Sequence, residues 1–347
     1  MNAAVITRHG DLDGLQLQQV KVPEPGPDEV RVKVYACALN RADLSLLRGL
    51  SGPGLREKRL PVIPGVDFSG TIDAVGDEAR AQGWEFGQPV VIYPGVFCSE
   101  CEYCRQGEET MCDHYQIIGE EMDGGLAEYV VVPARNLLAL PDSSHLERVA
   151  AAPATYTTAW RMLFTQGGLQ PGQKVLIVGV GSGVATAAAT LAHRFGAQLF
   201  GTTRDPAKAE RAKELGFSSV LAGYERPFDE WVAQQTGGTG VDIVVDSVGA
   251  RTWRQSIRSL RKGGKLVICG ATSGDVPEIS IREIYQNHRQ ILGAPCGNLR
   301  EFRQVMGLII DGAVTPVVDE VYSLGNVHSA FRRLASQEQF GKVLVRP

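Results

Sequence analysis

No uninterrupted apolar stretch in the 347-residue sequence reaches the roughly 18–20 residues needed to span a bilayer, and the opening MNAAVITRHGDLDG meets charge within eight residues. A chain that stays off membranes and carries no export signal is expected. Basic runs are missing as well. The 35 Lys+Arg against 39 Asp+Glu leave a net charge of -4, which supplies no long-range attraction for nucleic acid or an anionic lipid surface. A disulfide framework is absent too: the cysteines number seven, and four of them crowd between Cys98 and Cys112, so the reducing cytoplasm is the expected compartment. Charged residues make up only 21% against 44% hydrophobic, enough apolar surface to offset ordering entropy; global disorder is excluded, and the length predicts about two domains.

The first 140 or so residues read as short strands broken by turns. Val30-Arg31-Val32-Lys33-Val34 alternates apolar with polar, and Pro23, Pro25, Gly26 and Pro27 close the strand before it. From about Ala150 the rhythm becomes strand and helix in alternation: strands near 174–178, 198–202, 241–245 and 265–268, helices near 184–195 and 206–215. That order implies a parallel sheet with crossover helices, and the nearly continuous apolar runs at 175–178 and 241–245 suit strands covered on both faces. Beyond Gly293 a further helix-strand pattern runs to Val345, and periodicity alone does not assign it to either part.

Three signals carry chemistry. The strongest is Cys98-x2-Cys101-x2-Cys104-x7-Cys112, whose four thiolates at this spacing can surround one Zn2+ tetrahedrally at about 2.3 Å. With sulfur at every position the site is closed, so the metal staples a lobe of loop and does no chemistry. Cys37, Cys269 and Cys296 stand in apolar settings and read as core residues. The second signal is the turn Gly179-Val180-Gly181-Ser182-Gly183-Val184-Ala185 between an apolar strand and an Ala-rich helix. Small residues there let the backbone approach a pyrophosphate while the helix N-terminus supplies N–H donors. Strict G-x-G-x-x-G fails from either starting glycine, so the strand-turn-helix context carries the reading. The third lies about twenty residues on, at Gly201-Thr202-Thr203-Arg204. An NAD site places an acid at this strand end for the ribose 2′-hydroxyl, whereas an Arg accommodates a 2′-phosphate. Thr203 and the planar fork of Arg204 favour NADP(H) over NAD(H), and Lys208 adds positive charge or is simply an exposed helix lysine; Asp205 is the acid that argues for NAD(H), although its place before Pro206 also suits a helix N-cap.

Together with Pro64-Gly65-Val66-Asp67-Phe68-Ser69-Gly70, Gly125-Leu126-Ala127-Glu128-Tyr129 and Gly341-Lys342-Val343-Leu344-Val345, these motifs resemble the medium-chain dehydrogenase/reductase superfamily over essentially the whole chain. The resemblance implies an α/β protein: a GroES-like β-barrel catalytic domain over 1–150 with its zinc lobe at about 95–115, a Rossmann domain with a doubly wound parallel sheet over 151–294, and a return to the catalytic domain over 295–347. It also implies a homodimer or homotetramer, joined at the sheet edge Gln290-Ile291-Leu292-Gly293.

Zinc alcohol dehydrogenases of this family hold a second, catalytic zinc through two cysteines and a histidine. By resemblance those positions are Asn40, Val66 and Ala154 here; Val66 and Ala154 have no coordinating atom, and one Asn oxygen cannot hold Zn2+. Ala38-Leu39-Asn40 and Gly65-Val66-Asp67-Phe68 are instead similar to the quinone oxidoreductases. On that resemblance Asn40 orients or hydrogen-bonds at the reacting centre, with a helix N-cap as its plainer reading, and Thr158 faces the nicotinamide or merely packs in a helix. Ser247 and Val248 within Asp246–Gly249, and Gly270, Ala271 and Thr272, end two strands at the carboxyl edge where such sheets bind ligands. Lys342 contacts a cofactor phosphate or pairs with Asp67, and Tyr224 lies near the 2′-phosphate. Asp43, with Arg41, stands near the vacated zinc site or in a surface salt bridge; Tyr93 and Tyr156 are candidate proton donors or buried structural groups. The expected protein is an NADPH-dependent reductase of quinones or α,β-unsaturated carbonyls, with one structural Zn2+, no catalytic metal and a small-molecule substrate. Two rivals stand beside it: an alcohol or aldehyde dehydrogenase recruiting Cys37, Asp43 or Asp67 for a second metal, and an NADPH-binding sensor or structural protein with little turnover.

Overall fold

Val30, Val32 and Val34 are buried while Lys33 and Tyr35 are exposed, so the alternating stretch is a strand with one face on a core. The computed structural model describes residues 1–50, 59–223 and 226–347. In chain order its strands are β1 (Asn2–Ile6), β2 (Leu15–Gln19), β3 (Glu29–Ala38), β4 (Asp67–Val75), β5 (Pro89–Ile92), β6 (Gly95–Val96), β7 (Gln116–Ile117), β8 (Tyr129–Pro133), β9 (Leu137–Ala139), β10 (Lys174–Val178), β11 (Gln198–Thr203), β12 (Phe217–Ala222), β13 (Val241–Asp246), β14 (Leu260–Ile268), β15 (Gln290–Gly293), β16 (Val318–Ser323) and β17 (Lys342–Arg346). Among the described residues no helix is long and apolar enough to cross a membrane.

The chain forms two compact units. The first comprises Met1–Ala154, Asn298–Gly312 and Pro316–Pro347; the second comprises Thr155–Gly297 with Ala313–Thr315. In the first, a seven-stranded sheet runs β16-β17-β3-β4-β5-β9, with β8 also paired to β3. Its core includes Val30, Val32, Phe68, Ile72, Leu126 and Phe331. The far end of β3 matters most: Ala38 is opposite Leu344 of β17 on one side and Asp67 of β4 on the other. That register gathers the residues just beyond Ala38, the start of β4 and the start of β17 at one place. The helix-strand pattern after Gly293 proves to be the helix Leu299–Ile310, β16, the helix Val327–Ser336 and β17.

The second unit is built on a six-stranded parallel sheet in the order β12-β11-β10-β13-β14-β15. Val175, Leu176 and Ile177 of β10 are fully buried, as helix cover on both faces requires. Chain order reverses between β10 and β13, so the crevice at their carboxyl ends is the switch point where such sheets take ligands. The helix after β10, Gly183–Arg194, begins one residue earlier than its hydrophobic pattern suggests because Ser182 caps it. The helix Pro206–Lys213 stops short of Leu215, and Gly216, at φ +84, turns the chain into β12.

Candidate functional site

Cys98, Cys101, Cys104 and Cys112 come together in the loop between β6 and β7, a two-stranded ladder that closes the base of the lobe. Their sulfurs all lie within 4.8 Å of one another, with Cys98 3.8 Å from Cys104 and 3.5 Å from Cys112. A tetrahedron with arms of about 2.3 Å has edges of about 3.8 Å, so the four sulfurs are spaced for one Zn2+. The backbone N–H groups of Cys101 and His114 point at Cys98 Sγ and Cys112 Sγ, each at 3.4 Å. The Cys98 thiol is drawn down to about 6, first by the N–H of Glu100 and then by that of Cys101. Zinc held this way would crosslink the lobe.

A second cluster forms where β3, β4 and β17 converge. The Lys342 ammonium, 2% exposed, donates to Asp67 Oδ2 at 2.8 Å and to Asn40 Oδ1 at 2.6 Å. Lysine offers no acceptor, so the oxygen end of the Asn40 amide must face it. The Asn40 Nδ2 then donates to Asp67 Oδ2 at 3.0 Å and, at a long 3.4 Å, to Ala38 O. Asp67 Oδ1 accepts from the Ala154 N–H at 2.6 Å. Asp67 is fully buried, and a carboxylate there persists only because all these donors surround it. The three positions matched to zinc ligands are thus neighbours: Asn40 and Ala154 are bonded to Asp67, which adjoins Val66. Of the two roles considered for Lys342, this geometry displays the pairing with Asp67.

Asp43 also is fully buried, which corrects the reading of it as a surface ion-pair residue. It sits in the first turn of the helix Arg41–Leu47, where Asn40 is the N-cap, and its oxygens accept from the N–H of Asn40 at 2.7 Å and of Gly65 at 2.9 Å. It therefore ties the loop carrying Asn40 to the loop carrying Val66. Burial pushes its carboxyl up to about 6, against the pull of the Asn40 N–H, the Lys342 charge and the Gly65 N–H. This folded-state value lies above the unfolded one of about 3.9, so the stabilisation is full below about pH 4 and is lost as the pH rises through about 6. From pH 7 to pH 5 this group is expected to add about 1.4 kcal/mol to folding stability, an increment missing from the Asp43→Asn variant when urea unfolding is compared at the two pH values. Cys37, fully buried beside these groups, has its thiol held well above the ordinary value by burial first and then by the charges of Asp43 and Asp67. The three groups considered as substitute metal ligands, Cys37, Asp43 and Asp67, are thus a protonated buried thiol and two carboxylates whose oxygens already serve the protein.

In the second unit the glycine turn follows β10. Gly179 and Gly181 take φ of +77 and +106, which side chains resist. The N–H groups of Gly179 and Val180 both donate to Thr202 O, at 3.0 and 2.8 Å, fixing the turn to the end of β11. Ser182 Oγ takes the N–H of Ala185 at 3.2 Å, which leaves the first-turn amides of Gly183 and Val184 as helix N-terminal donors for an anion. At the end of β11 the buried Thr203 accepts from the N–H of Asp205 at 3.2 Å, and Asp205 in turn accepts from the N–H of Ala207 at 2.8 Å, capping the helix that opens with Pro206. Arg204 is exposed and Lys208 half-buried. Tyr224 lies outside the described residues.

Ser247 and Val248 follow β13, Gly270 and Ala271 follow β14, and the buried Thr158 lies in the helix Pro153–Trp160. Both tyrosines are buried. Tyr156 is buried with its hydroxyl 3.1 Å from Thr190 Oγ1 and 3.3 Å from Thr315 O, and Tyr93 is buried against Phe302 with ring centroids 5.4 Å apart. The sequence placed Asp246 only within the ligand-edge segment Asp246–Gly249 and gave its side chain no task of its own; the structure makes it the hub of a strand-end loop. Its signal was an acid closing the apolar run 241–245.

Residues 26–142 match the alcohol dehydrogenase GroES-like domain, and residues 183–311 match the zinc-binding dehydrogenase family. An acryloyl-coenzyme A reductase of Sulfurisphaera tokodaii is 30% identical over 348 residues, with 100% of both chains covered. A zinc-type alcohol dehydrogenase-like protein of Schizosaccharomyces pombe is 32% identical over 344 residues, covering 96% of this chain and 95% of its own. A crystal structure of an NAD-dependent alcohol dehydrogenase superposes with a TM-score of 0.94 at 36% identity, again with 100% of each chain covered. With a GroES-like unit, a parallel-sheet Rossmann unit and a four-cysteine cluster spaced for structural zinc, the chain belongs to the medium-chain dehydrogenase/reductase superfamily and is a nicotinamide-dependent oxidoreductase.

Proposed function

We propose that this oxidoreductase uses NADPH to reduce quinones or α,β-unsaturated carbonyls without a catalytic metal. The observation that carries the reading is the cluster around Asp67: Val66 and Ala154 have no donor atom for a metal, and the Asn40 oxygen is held by the buried Lys342 ammonium. When bound, the nicotinamide supplies the hydride. The chain's own task is to orient the substrate and to meet the negative charge that develops on its oxygen. An isolated carbonyl becomes an alkoxide, for which bulk water at a pKa of about 15.7 is a proxy. A conjugated acceptor becomes a phenolate or enolate, nearer a pKa of about 10. At about 1.36 kcal/mol per unit, the delocalised product spares the protein roughly 8 kcal/mol, so a hydrogen bond suffices where an alcohol dehydrogenase needs a Lewis acid. Asn40 is the donor in this reading. Lys342 fixes its amide orientation, and the hydrogen on the long contact to Ala38 O is the one weakly engaged. Thr158 orients the nicotinamide, and water or a nearby hydroxyl delivers the final proton.

For the cofactor, the exposed Arg204 beside Thr203 supports a 2′-phosphate, and Asp205, the acid that argued for NAD(H), is occupied as a helix cap. The similarity to an acryloyl-coenzyme A reductase supports a conjugated acyl substrate; the similarity to alcohol dehydrogenases supports the rival. The deciding experiment titrates NADPH and NADH in parallel, then offers an enone, an enoyl thioester, a quinone and an alcohol, with metal content measured on the same sample. Tighter NADPH binding, about ten- to a hundredfold weaker in Arg204→Ala, is expected, with turnover of conjugated acceptors at one zinc per chain. Alcohol oxidation that depends on a second zinc would overturn the reading, and cofactor binding with no turnover of any carbonyl would favour the sensor. Homo-oligomerisation through β15 is part of the proposal: it is a terminal strand of its sheet, and Val276, Ile281 and Tyr285 shortly before it are 85%, 73% and 60% exposed. Light scattering on the same sample is expected to read a dimer or tetramer, and a monomer rejects this pairing.

A further inference from the structure

We propose that Asp246 and Ser273 are positioning residues that lock two strand-end loops, 247–250 and 271–274, into one plate under the nicotinamide half of the dinucleotide. The inference rests on the reading that these loops bind the cofactor.

Asp246 is the last residue of β13 and only 1% exposed. A carboxylate buried there requires donors, and it has four. Oδ1 accepts from the N–H of Val248 at 2.7 Å and of Gly249 at 3.3 Å; Oδ2 accepts from Thr252 Oγ1 at 2.7 Å and Ser256 Oγ at 2.6 Å. The two N–H bonds reach residues two and three places on, the geometry by which an Asp side chain bends its own backbone into a turn. Ser273 completes the lock from the β14 side. Its N–H and its Oγ both donate to Val248 O at 2.7 Å, and its Oγ accepts from the Arg251 N–H at 3.0 Å. Val248 is therefore held at its amide by Asp246 and at its carbonyl by Ser273. Further bonds run from Ala250 N to Gly274 O at 2.9 Å and from Thr272 Oγ1 to Ser247 O at 3.3 Å. The fit is close: a Cβ on Gly249, at φ +90, would lie 2.6 Å from Gly274 O.

The sheet order says which half of the ligand this plate serves. The phosphate turn follows β10, and Thr203 ends β11 on one side of it with Arg204 next in the chain; β13 and β14 lie on the other side. A dinucleotide laid across the switch point with its 2′-phosphate at β11 has its nicotinamide half over the ends of β13 and β14.

The test compares Ser273→Ala, Asp246→Asn and Asp246→Ala with the unaltered chain. Dissociation constants are measured for NADPH and for adenosine 2′,5′-bisphosphate, which carries the adenosine half alone. Ser273→Ala changes a half-buried loop side chain and is expected to fold; it should raise the constant for NADPH about three- to tenfold. Asp246→Ala should exceed tenfold, and Asp246→Asn should return to within about threefold, since the amide oxygen can accept both N–H groups while its NH2 donates to the two hydroxyls. The bisphosphate constant should not move. An unchanged NADPH constant in Ser273→Ala, or equal weakening of both ligands, overturns the inference. Failure of the unaltered chain to bind NADPH while it binds the bisphosphate overturns the cofactor reading and the inference with it.

Discussion

Replacing Lys342 with methionine is expected to cost the folded state about 3–5 kcal/mol, because it leaves the Asp67 carboxylate buried without its cation. Asp67 would keep only the Ala154 N–H and the Asn40 amide, and Asn40 would lose the group that dictates which end of its amide faces the cluster. Turnover should therefore fall together with stability. Arginine is no conservative replacement, since its planar fork is larger than an ammonium that is 2% exposed among close partners. The double variant Lys342→Met, Asp67→Asn should recover part of the stability, since no uncompensated charge remains. Urea unfolding of the three variants checks this; a loss below about 1 kcal/mol for Lys342→Met would mean that water reaches the carboxylate and that the pair is solvated.

Removing zinc should have a comparably large effect, confined at first to the lobe. Residues 98–112 have almost no apolar core: the helix Glu102–Arg105 buries none of its side chains, and Cys98, Cys101 and Cys104 are only half-buried. Structural zinc in small domains supplies binding free energy of about 10–16 kcal/mol, and a lobe of this kind has little else to order it. One zinc per chain is expected, abolished in Cys112→Ser. After chelation, amide hydrogen-exchange protection across 98–112 should fall by about a thousandfold or more. The loss should spread to the helix Leu299–Ile310, because Asn298, its cap, donates to Gly107 O at 2.8 Å and the Leu299 N–H to Glu109 Oε2 at 3.4 Å. Unchanged protection without metal would show four thiols that pack as ordinary core residues.

How much of this was legible in the sequence follows from the range of each interaction. The cysteine spacing, the glycine turn and the alternating β3 are local patterns, and each maps directly onto the lobe, the β10 turn and the strand that the structure contains. The architecture was legible mainly through resemblance, since periodicity alone did not assign the segment after Gly293. Burial of single polar side chains was the hardest to read. Asp43 stands among Arg41, Ala42 and Leu44, a mixture that suits a surface helix turn as well as a buried one, and only the arrival of the Gly65 N–H decides the matter. Tyr93 and Tyr156 were undecided for the same reason: their partners Phe302, Thr190 and Thr315 are remote in the chain. Asp246 was legible only as the first residue of the ligand-edge segment 246–249; the task of its side chain depends on how the following turn folds back onto it.

The separation of Lys342 from Asp67 by 275 residues has a consequence for biosynthesis. β17 lies between β16 and β3 in its sheet and supplies the ammonium as well as a strand, so the ribosome has released the entire nucleotide-binding unit before the acid at the start of β4 meets its counter-charge. A nascent chain halted short of β17 would leave Cys37 and Ala38 at the end of β3 without their β17 partners, and the Asp67 carboxyl group without its ammonium.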